Sequence, residues 1–286
     1  FDQGIINASV RTPMELDGIG PGGAGAMDSY VEGGQVTFTG PITLLGNSRI
    51  RAYGAQSIQN LQGVISGSYD ITFLAQGAGT THKDTFVLSA TNNYSGNTYI
   101  DNYAAGADVQ LSGGNDLLPT GTVVYVSAGA WNAANISVLD LNGNNQTLAG
   151  LADGATLTGA RRVLNTGVAT STLTLNMTNN YVFSGSLGGA DVNGTPGDNL
   201  VLVKTGSGTQ TLSGVSTYTG ATMVNAGALS IADGSISSSS PINVAGGALL
   251  TTSVNNTFGI VPSAGWTIAG VIQGTANSQT MPPSVT

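Results

Sequence analysis

The sequence predicts an all-β chain wound as a β-solenoid, with a β-sandwich as the alternative. Three observations lead there. Runs of four to seven residues rich in Val, Ile, Thr, Leu and Phe alternate inside and outside, as in Thr172-Leu173-Thr174-Leu175 and Ile136-Ser137-Val138-Leu139-Asp140-Leu141. That period of two is the half-buried strand pattern. Gly, Asn, Asp and Ser bound each run, and pairs such as Asn142-Gly143, Asp153-Gly154, Asn193-Gly194 and Asp233-Gly234 supply turns with positive φ at little cost. The third observation is that one phrase is written twice. LSATNNYSGNT begins at Leu88 and LSGVSTYTGAT at Leu212, with a weaker echo, LNMTNNYVFSG, from Leu175. Internal repetition favours a solenoid over a sandwich, because each repeat buries its apolar face only by stacking on its neighbours.

Composition bounds the function. Hydrophobic residues make up 40% of the 286 residues, enough for a long core, while charged residues make up 8%, far below the roughly 25% of an ordinary soluble domain. Cys is absent, which excludes disulfides, thiol nucleophiles and cysteine metal sites. Seven basic against fifteen acidic residues give a net charge of −8, so nucleic acid is not an expected partner. Arg161-Arg162, the one adjacent basic pair, reads as a solvated turn. No stretch reaches the ~18 apolar residues of a membrane-spanning helix. The chain starts at Phe1 without a signal-type segment, so a processed or excised piece of a longer precursor is expected.

Taken in order, residues 1–34 are dense in Gly, with Pro21 and the acids Glu15, Asp17, Asp28 and Glu32. They read as an N-terminal cap, linker or extended arm. From Gln35 to about residue 275, strand-like runs follow one another: QVTFTG, ITLLGNSRIRAYG, DITFLAQG, DTFVLSATNN, TVVYVSAG, ISVLDLNGNN, STLTLNMTNN, NLVLVKTG, TMVNAGALSIADG, INVAGGALLTTS and WTIAGVIQG. No helical period longer than about two turns interrupts them. A solenoid rung takes roughly 20–25 residues. The pairs Asn92-Asn93, Asn144-Asn145, Asn179-Asn180 and Asn255-Asn256 suit stacked turns whose amides bond from rung to rung. Residues 276–286 read as a C-terminal tail.

Residues 203–231 show a denser pattern: Lys204, Gly206, Gly208, Leu212, Gly214, Tyr218, Gly220, Thr222, Val224, Gly227 and Leu229 stand in a fixed spacing. This stretch resembles the autotransporter-associated β-strand repeat, also called the passenger-associated transport repeat. A degenerate copy runs from about residue 74 to 102, with Gln76 in place of the lysine and with Leu88, Tyr94, Gly96 and Thr98 matching. VLDLNGNNQTLAGL between them resembles a spacer of such proteins. The resemblance implies a right-handed parallel β-helix, exported to the surface of Gram-negative-type bacteria. It also implies a C-terminal membrane barrel in a self-transporting protein. This chain ends NSQTMPPSVT, so a barrel is expected outside the fragment, or attachment by another route.

Gly20-Pro-Gly-Gly-Ala-Gly25 satisfies G-x-G-x-x-G but lacks the strand and helix a dinucleotide site needs. Gly113-Gly114-Asn115-Asp116-Leu117 is one imperfect calcium nonapeptide, where such sites need successive copies. No cofactor or metal is therefore expected, beyond a weak structural calcium in an acidic loop. His82, the single histidine, lies in a polar loop and has no nucleophile elbow to serve. Asp116 and Asp140, one rung apart in sequence, are the nearest thing to the paired carboxylates of a polysaccharide-active β-helix enzyme. Tyr94, Tyr99, Tyr103 and Trp131 form a candidate aromatic platform for sugar, Tyr94 being better read as repeat packing.

The expected function is that of an extracellular or cell-surface structural protein, not an enzyme: a stalk, layer or filament that joins end to end through its terminal segments. Open strand edges at the ends favour such pairing. The alternative is an adhesin that binds glycans or a host surface along its flank. A polysaccharide-active enzyme is the third reading.

Overall fold

The computed structural model describes residues 8–31, 33–54, 56–76, 83–103, 106–128, 135–191, 193–232, 241–253 and 267–274. His82, Trp131, Asp233-Gly234, Asn255-Asn256 and the tail 276–286 lie outside the described residues. The chain is a β-solenoid with three faces. The first face is an eight-stranded sheet: Ala8–Val10, Gln35–Phe38, Ile58–Leu61, Lys83–Leu88, Gly106–Leu111, Ile136–Asp140, Ala160–Leu164 and Ser186–Leu187. Every strand pairing among the described residues is parallel, from Ala8 on Val36 to Leu249 on Val271. The β-sandwich alternative, which needs antiparallel pairs, is overturned. Parallel strands need long crossovers. Here the crossover is the rest of the turn.

The second face opens with Met14–Leu16, Ile42–Leu44 and Ile65–Gly67. It continues through irregular backbone, where Asn93 N–H donates to Ile65 C=O and Asn92 N–H to Leu117 C=O. It then resumes as Gln146–Leu148, Ser171–Asn176, Leu200–Thr205, Thr222–Val224, Ile242–Val244 and Thr267–Ile268. The third face runs from Met27–Tyr30 through Ser48–Tyr53, Ile71–Ala75, Thr98–Asn102 and Val123–Ala128 to Gly150–Leu157. It goes on with Tyr181–Phe183, Thr209–Leu212, Ala228–Ala232, Leu249–Ser253 and Val271–Gly274.

Two expectations change. Residues 8–31 are not a separate arm or linker: their three strands are the first turn, in register with the second at Ala8–Val36, Met14–Ile42 and Met27–Ile50. Their glycines sit in the bend around the short 3-10 turn Pro21–Gly23. Rungs also vary more than 20–25 residues. Thr217 bonds Asp198 across 19 residues, and Thr147 bonds Asp116 across 31. Asn142-Gly143 makes its turn with φ 46° and 80°. Asp153-Gly154 instead lies within the strand Gly150–Leu157, opposite a register shift between Val126 and Ala128.

Alternation along each strand sends one set of side chains inward, and parallel register stacks them in columns. Phe86, Val109, Leu139, Val163 and Leu187 form one such column behind the first face. Ile50, Phe73, Ile100 and Val126 form another behind the third. Phe73 and Phe86 meet across the interior with ring centroids 5.3 Å apart. Each turn fills the bore from all three faces, as Ala107, Val109, Leu111, Leu117, Leu118, Val124 and Val126 do in one of them.

The corners need separate satisfaction, because backbone that leaves the ladder still carries polar groups. Asn and Asp side chains supply it, accepting an N–H one rung away. Asn47 takes the N–H of Asp70, and Asp70 takes that of Asn97. Asn115 takes that of Asn145, and Asn145 that of Thr172. Asn180 takes that of Thr209. The amides thus bond from rung to rung, but to backbone rather than to one another. Buried Asn92 works on both sides: Oδ1 accepts from Ile65 N–H, and Nδ2 donates to Leu117 C=O at 2.9 Å. Asn92→Ala is expected to cost about 2–3 kcal/mol in urea unfolding, since a buried donor and acceptor lose partners. Asn92→Asp keeps the acceptor but not the donor, and should also destabilise.

Candidate functional site

The most densely patterned stretch of the chain is 202–231. There the strand Leu200–Thr205 points Lys204 inward, between Leu175 one rung below and Val224 one rung above. Its side chain is fully buried. Among the described residues no carboxylate pairs with it, and Nζ donates to the carbonyls of Thr205 at 2.7 Å, Gly206 at 2.9 Å and Ala226 at 3.2 Å. Lys204 therefore caps the corner between the second and third faces on two successive rungs. Burial pushes its ammonium down to about 8. Gly206 makes that corner with φ 72°, and a Cβ there would stand 2.3 Å from the Met177 carbonyl oxygen. Leu212 enters the core from Thr209–Leu212.

Beyond Leu212 the chain crosses without a strand to Thr222. Gly214 passes close to the Gly185 carbonyl, and Gly220 has no room for a Cβ against Leu200 C=O at 2.3 Å. Tyr218 turns fully inward, and its hydroxyl meets Thr222 Oγ1 at 2.5 Å. The first copy repeats this device. Tyr94 is 1% exposed, its hydroxyl lies 2.6 Å from Thr98 Oγ1, and Gly96 presses on Tyr69 C=O. Burial raises both phenols above their ordinary range, with the threonines opposing. A buried tyrosine needs a partner for its hydroxyl, and the threonine four residues on provides one within the motif itself.

The two copies do not lie one above the other. The first runs from Lys83–Leu88 on the first face, across the second, to Thr98–Asn102 on the third. The second runs from Thr209–Leu212 on the third face, across the first, to Thr222–Val224 on the second. They are a third of a turn out of phase. Gln76, which stands for the lysine in the first copy, accepts from Arg51 Nη1 at 2.9 Å and does not cap a corner in Lys204's way.

On the outside, Tyr99 and Tyr103 face solvent on or beside the third face. Tyr99 stacks on Tyr125 of the next rung, with centroids 4.9 Å apart and planes 12° apart. A second pair, Tyr30 and Tyr53, stands lower on the same face at 5.1 Å, with the Arg51 guanidinium 5.0 Å from the Tyr53 ring. Arg51 also holds Asp28 through both carboxylate oxygens. Sequence reading missed Tyr30, Tyr53 and Tyr125. Their signal was spacing by one rung, legible only once the register was known. In the Tyr99–Tyr125 pair the facing ring surfaces cover each other, whereas Tyr30 and Tyr53 are tilted by 41°.

The carboxylates are dispersed as rung-to-rung clips. Asp116 Oδ1 accepts from Thr147 N–H at 2.7 Å. Asp140 accepts from Thr166 N–H and Gln110 Nε2. These two acids take different partners on different faces, so the structure does not bring them together. Asp84 clips Ser57, and Asp153 clips Ser184. Asn115 and Asp116, the acidic end of the nonapeptide-like stretch, are both engaged this way, and no metal-holding group of acids occurs among the described residues. Arg161 and Arg162 are not a solvated turn but part of the strand Ala160–Leu164. Arg161 is 8% exposed and bonds the carbonyls of Leu157 and Gly159. One place does gather charge. Lys83 Nζ lies 2.7 Å from Asp108 and 3.0 Å from Asp191, both carboxylates being buried.

The comparisons with known proteins agree with this geometry. The family description Passenger-associated-transport-repeat matches residues 84–102 and 202–231. Those are the two copies with the inward Tyr–Thr pairs, and the first match begins later than residue 74. No curated protein and no solved structure matches the chain.

Tyr218→Phe leaves Thr222 without its hydroxyl partner and should cost about 1–2 kcal/mol by denaturant unfolding. Tyr94→Phe should cost less, because Thr98 Oγ1 keeps Thr122 Oγ1 at 2.9 Å. Lys204 gives a pH signature. Its folded pKa of about 8 lies below the unfolded 10.5, so between those values the unfolded chain binds more protons and stability rises with pH. From pH about 8 to 10 the melting temperature should climb, and Lys204→Met should abolish the climb. Above about 10 the buried tyrosines, raised in the fold, reverse the slope.

Proposed function

As a β-solenoid carrying two passenger-associated transport repeats, the chain fits a passenger-like, secreted or surface protein, and we propose that its role there is mechanical. It is a rod that forms a stalk, layer or filament outside the cell. The observation that supports this reading is the run of parallel sheets stacked turn on turn, with corners clipped by Asn, Asp and one buried lysine. Such a body transmits load along hydrogen bonds that run parallel to its axis. A non-catalytic role accords with the carboxylates: Asp70, Asp84, Asp116, Asp140 and Asp153 are each spent on a neighbouring rung.

In this reading the ends join. The strands of the first turn pair on one side with the second turn, and a parallel sheet edge is a template for another chain. A second reading, an adhesin, draws on the third-face tyrosines, which put Tyr30, Tyr53, Tyr99 and Tyr125 in two pairs on one flank. It predicts binding to a glycan through hydroxyls and ring edges.

Protease shaving of intact producing cells tests the location: the chain should be released or digested while cytosolic markers survive, and full protection would refute a surface role. Sedimentation of the purified chain over a wide concentration range tests the rod. Elongated species that lengthen with concentration are expected, and a compact monomer throughout would sink the filament. A glycan array decides the second reading, with Tyr99→Ala/Tyr125→Ala losing any signal found.

A further inference from the structure

The charge cluster at Lys83 involves an excursion from the first face. After Ser186–Leu187 the chain leaves the first face, and it rejoins the strands at Leu200 on the second. Glycines flank it: Gly188 and Gly189 have φ 84° and 96° at its start, and Gly197 lies near its end. Ala190 and Pro196 form an antiparallel bridge, the one place where the chain doubles back on itself among the described residues. Gly194 turns the tip with φ 82°. Asp191 Oδ1 accepts the N–H groups of Asn193 and Thr195, both at 2.8 Å, which shapes that tip.

The excursion lies against the outside of the first face. Gly188 N–H donates to Val163 C=O, Asn165 N–H to Gly197 C=O, and Arg162 Nη1 to Ala190 C=O. Gly197 packs on the Leu164 side chain. Leu164 and Val138 alternate with core residues and so point outward, yet both are buried. The register places Thr85, Asp108, Val138, Arg162 and Ser186 in one outward column, one rung apart. Asp191 reaches past that column to Lys83, 108 residues away in sequence.

We propose that residues 188–191 and 193–198 are a clasp, which ties the strand Lys83–Leu88 to the rung of Ser186–Leu187 through Lys83, and that Asp108 competes with Asp191 for that lysine. The groups facing Asp108 are Lys83 on its own face one rung below, Asp140 and Arg162 on the rungs above, and Asp191 from the clasp. Two carboxylates share one ammonium. Neither Asp108 oxygen makes an aligned hydrogen bond, although Oδ2 is in ion-pair contact. Asp191 is engaged by Lys83, Asn193 and Thr195 together.

The competition has a direction. Burial, with Asp140 and Asp191 adding to it, pushes the Asp108 carboxyl up to about 7 despite Lys83. Against its own burial, Asp191 is held below the ordinary carboxylate range by Lys83 and the tip amides. Opening the clasp takes Asp191 away from Asp108 and leaves Lys83 to Asp108 alone, both of which lower the Asp108 carboxyl, so the closed form binds the extra proton. Closure is therefore favoured below pH about 7 and weakened above it. With Asp108 neutral, Lys83 serves Asp191 alone. With Asp108 ionised, the carboxylates repel and divide it.

The absence of Cys gives a clean probe. Leu164→Cys places a thiol under Gly197, and Val138→Cys offers a second position in the same strip. Labelling by a small maleimide, normalised to a free thiol at each pH, reads clasp opening while circular dichroism confirms a folded rod. Adding Lys83→Met or Asp191→Asn should speed labelling at least about tenfold, Asn being able to keep the tip turn. In the parent probe labelling should be several-fold slower at about pH 5.5 than at about pH 8, and Asp108→Asn should make it slow at both. Unchanged labelling in both Lys83→Met and Asp191→Asn would overturn the clasp. A pH dependence that survives Asp108→Asn would overturn the competition.

Discussion

Hydrogen bonding between successive rungs governs this molecule. A strand in a parallel solenoid finds its partners only one turn away, so each turn must return to the same azimuth in register. Along the faces the backbone does this unaided, as in the six-residue match of Lys83–Leu88 on Gly106–Leu111. Corners cannot, because their peptide groups leave the sheet direction. An unpartnered buried N–H or C=O costs about 1–3 kcal/mol, and every turn has three corners. The polar composition follows from that cost. Asn47, Asp70, Asn92, Asn145 and Asn180 are corner clips, and Lys204 is a corner cap made from a cation.

The repeat is a local answer to the same constraint. Its strand–crossing–strand unit carries its own seal, a tyrosine that plugs the bore and a threonine four residues later that satisfies the hydroxyl. Glycines let the crossing lie against the turn below, where Gly96 and Gly220 approach carbonyls too closely for a side chain. Because all its essential contacts are internal or one rung away, the unit can be placed at any azimuth. The third-of-a-turn offset between the copies is the direct expression of that independence.

Charge is used sparingly, and most of it is buried. Lys83, Asp108, Asp140 and Arg162 gather on the first face under the excursion that carries Asp191. A solenoid held only by nearest neighbours opens from any point. A link across several rungs couples turns that would otherwise unfold separately, and the cluster is the only long-range ion pair among the described residues that does so.

The architecture was legible in the amino-acid order because its causes are local. Period-two strands, Asn and Gly corners, and the doubled Leu–Tyr–Gly–Thr phrase each report on a few neighbouring residues. So were the turns at Asn142-Gly143 and Asn193-Gly194. What only the tertiary structure decided depends on register, which varies because rungs differ in length. It made a first turn out of residues 8–31, turned Arg161 into the fold, and parted Asp116 from Asp140. It also set Tyr30 against Tyr53, Tyr99 against Tyr125, and Asp191 against Lys83. Sequence separation carries no information on such pairs until each rung's length is known, and the backbone ladder alone sets those lengths.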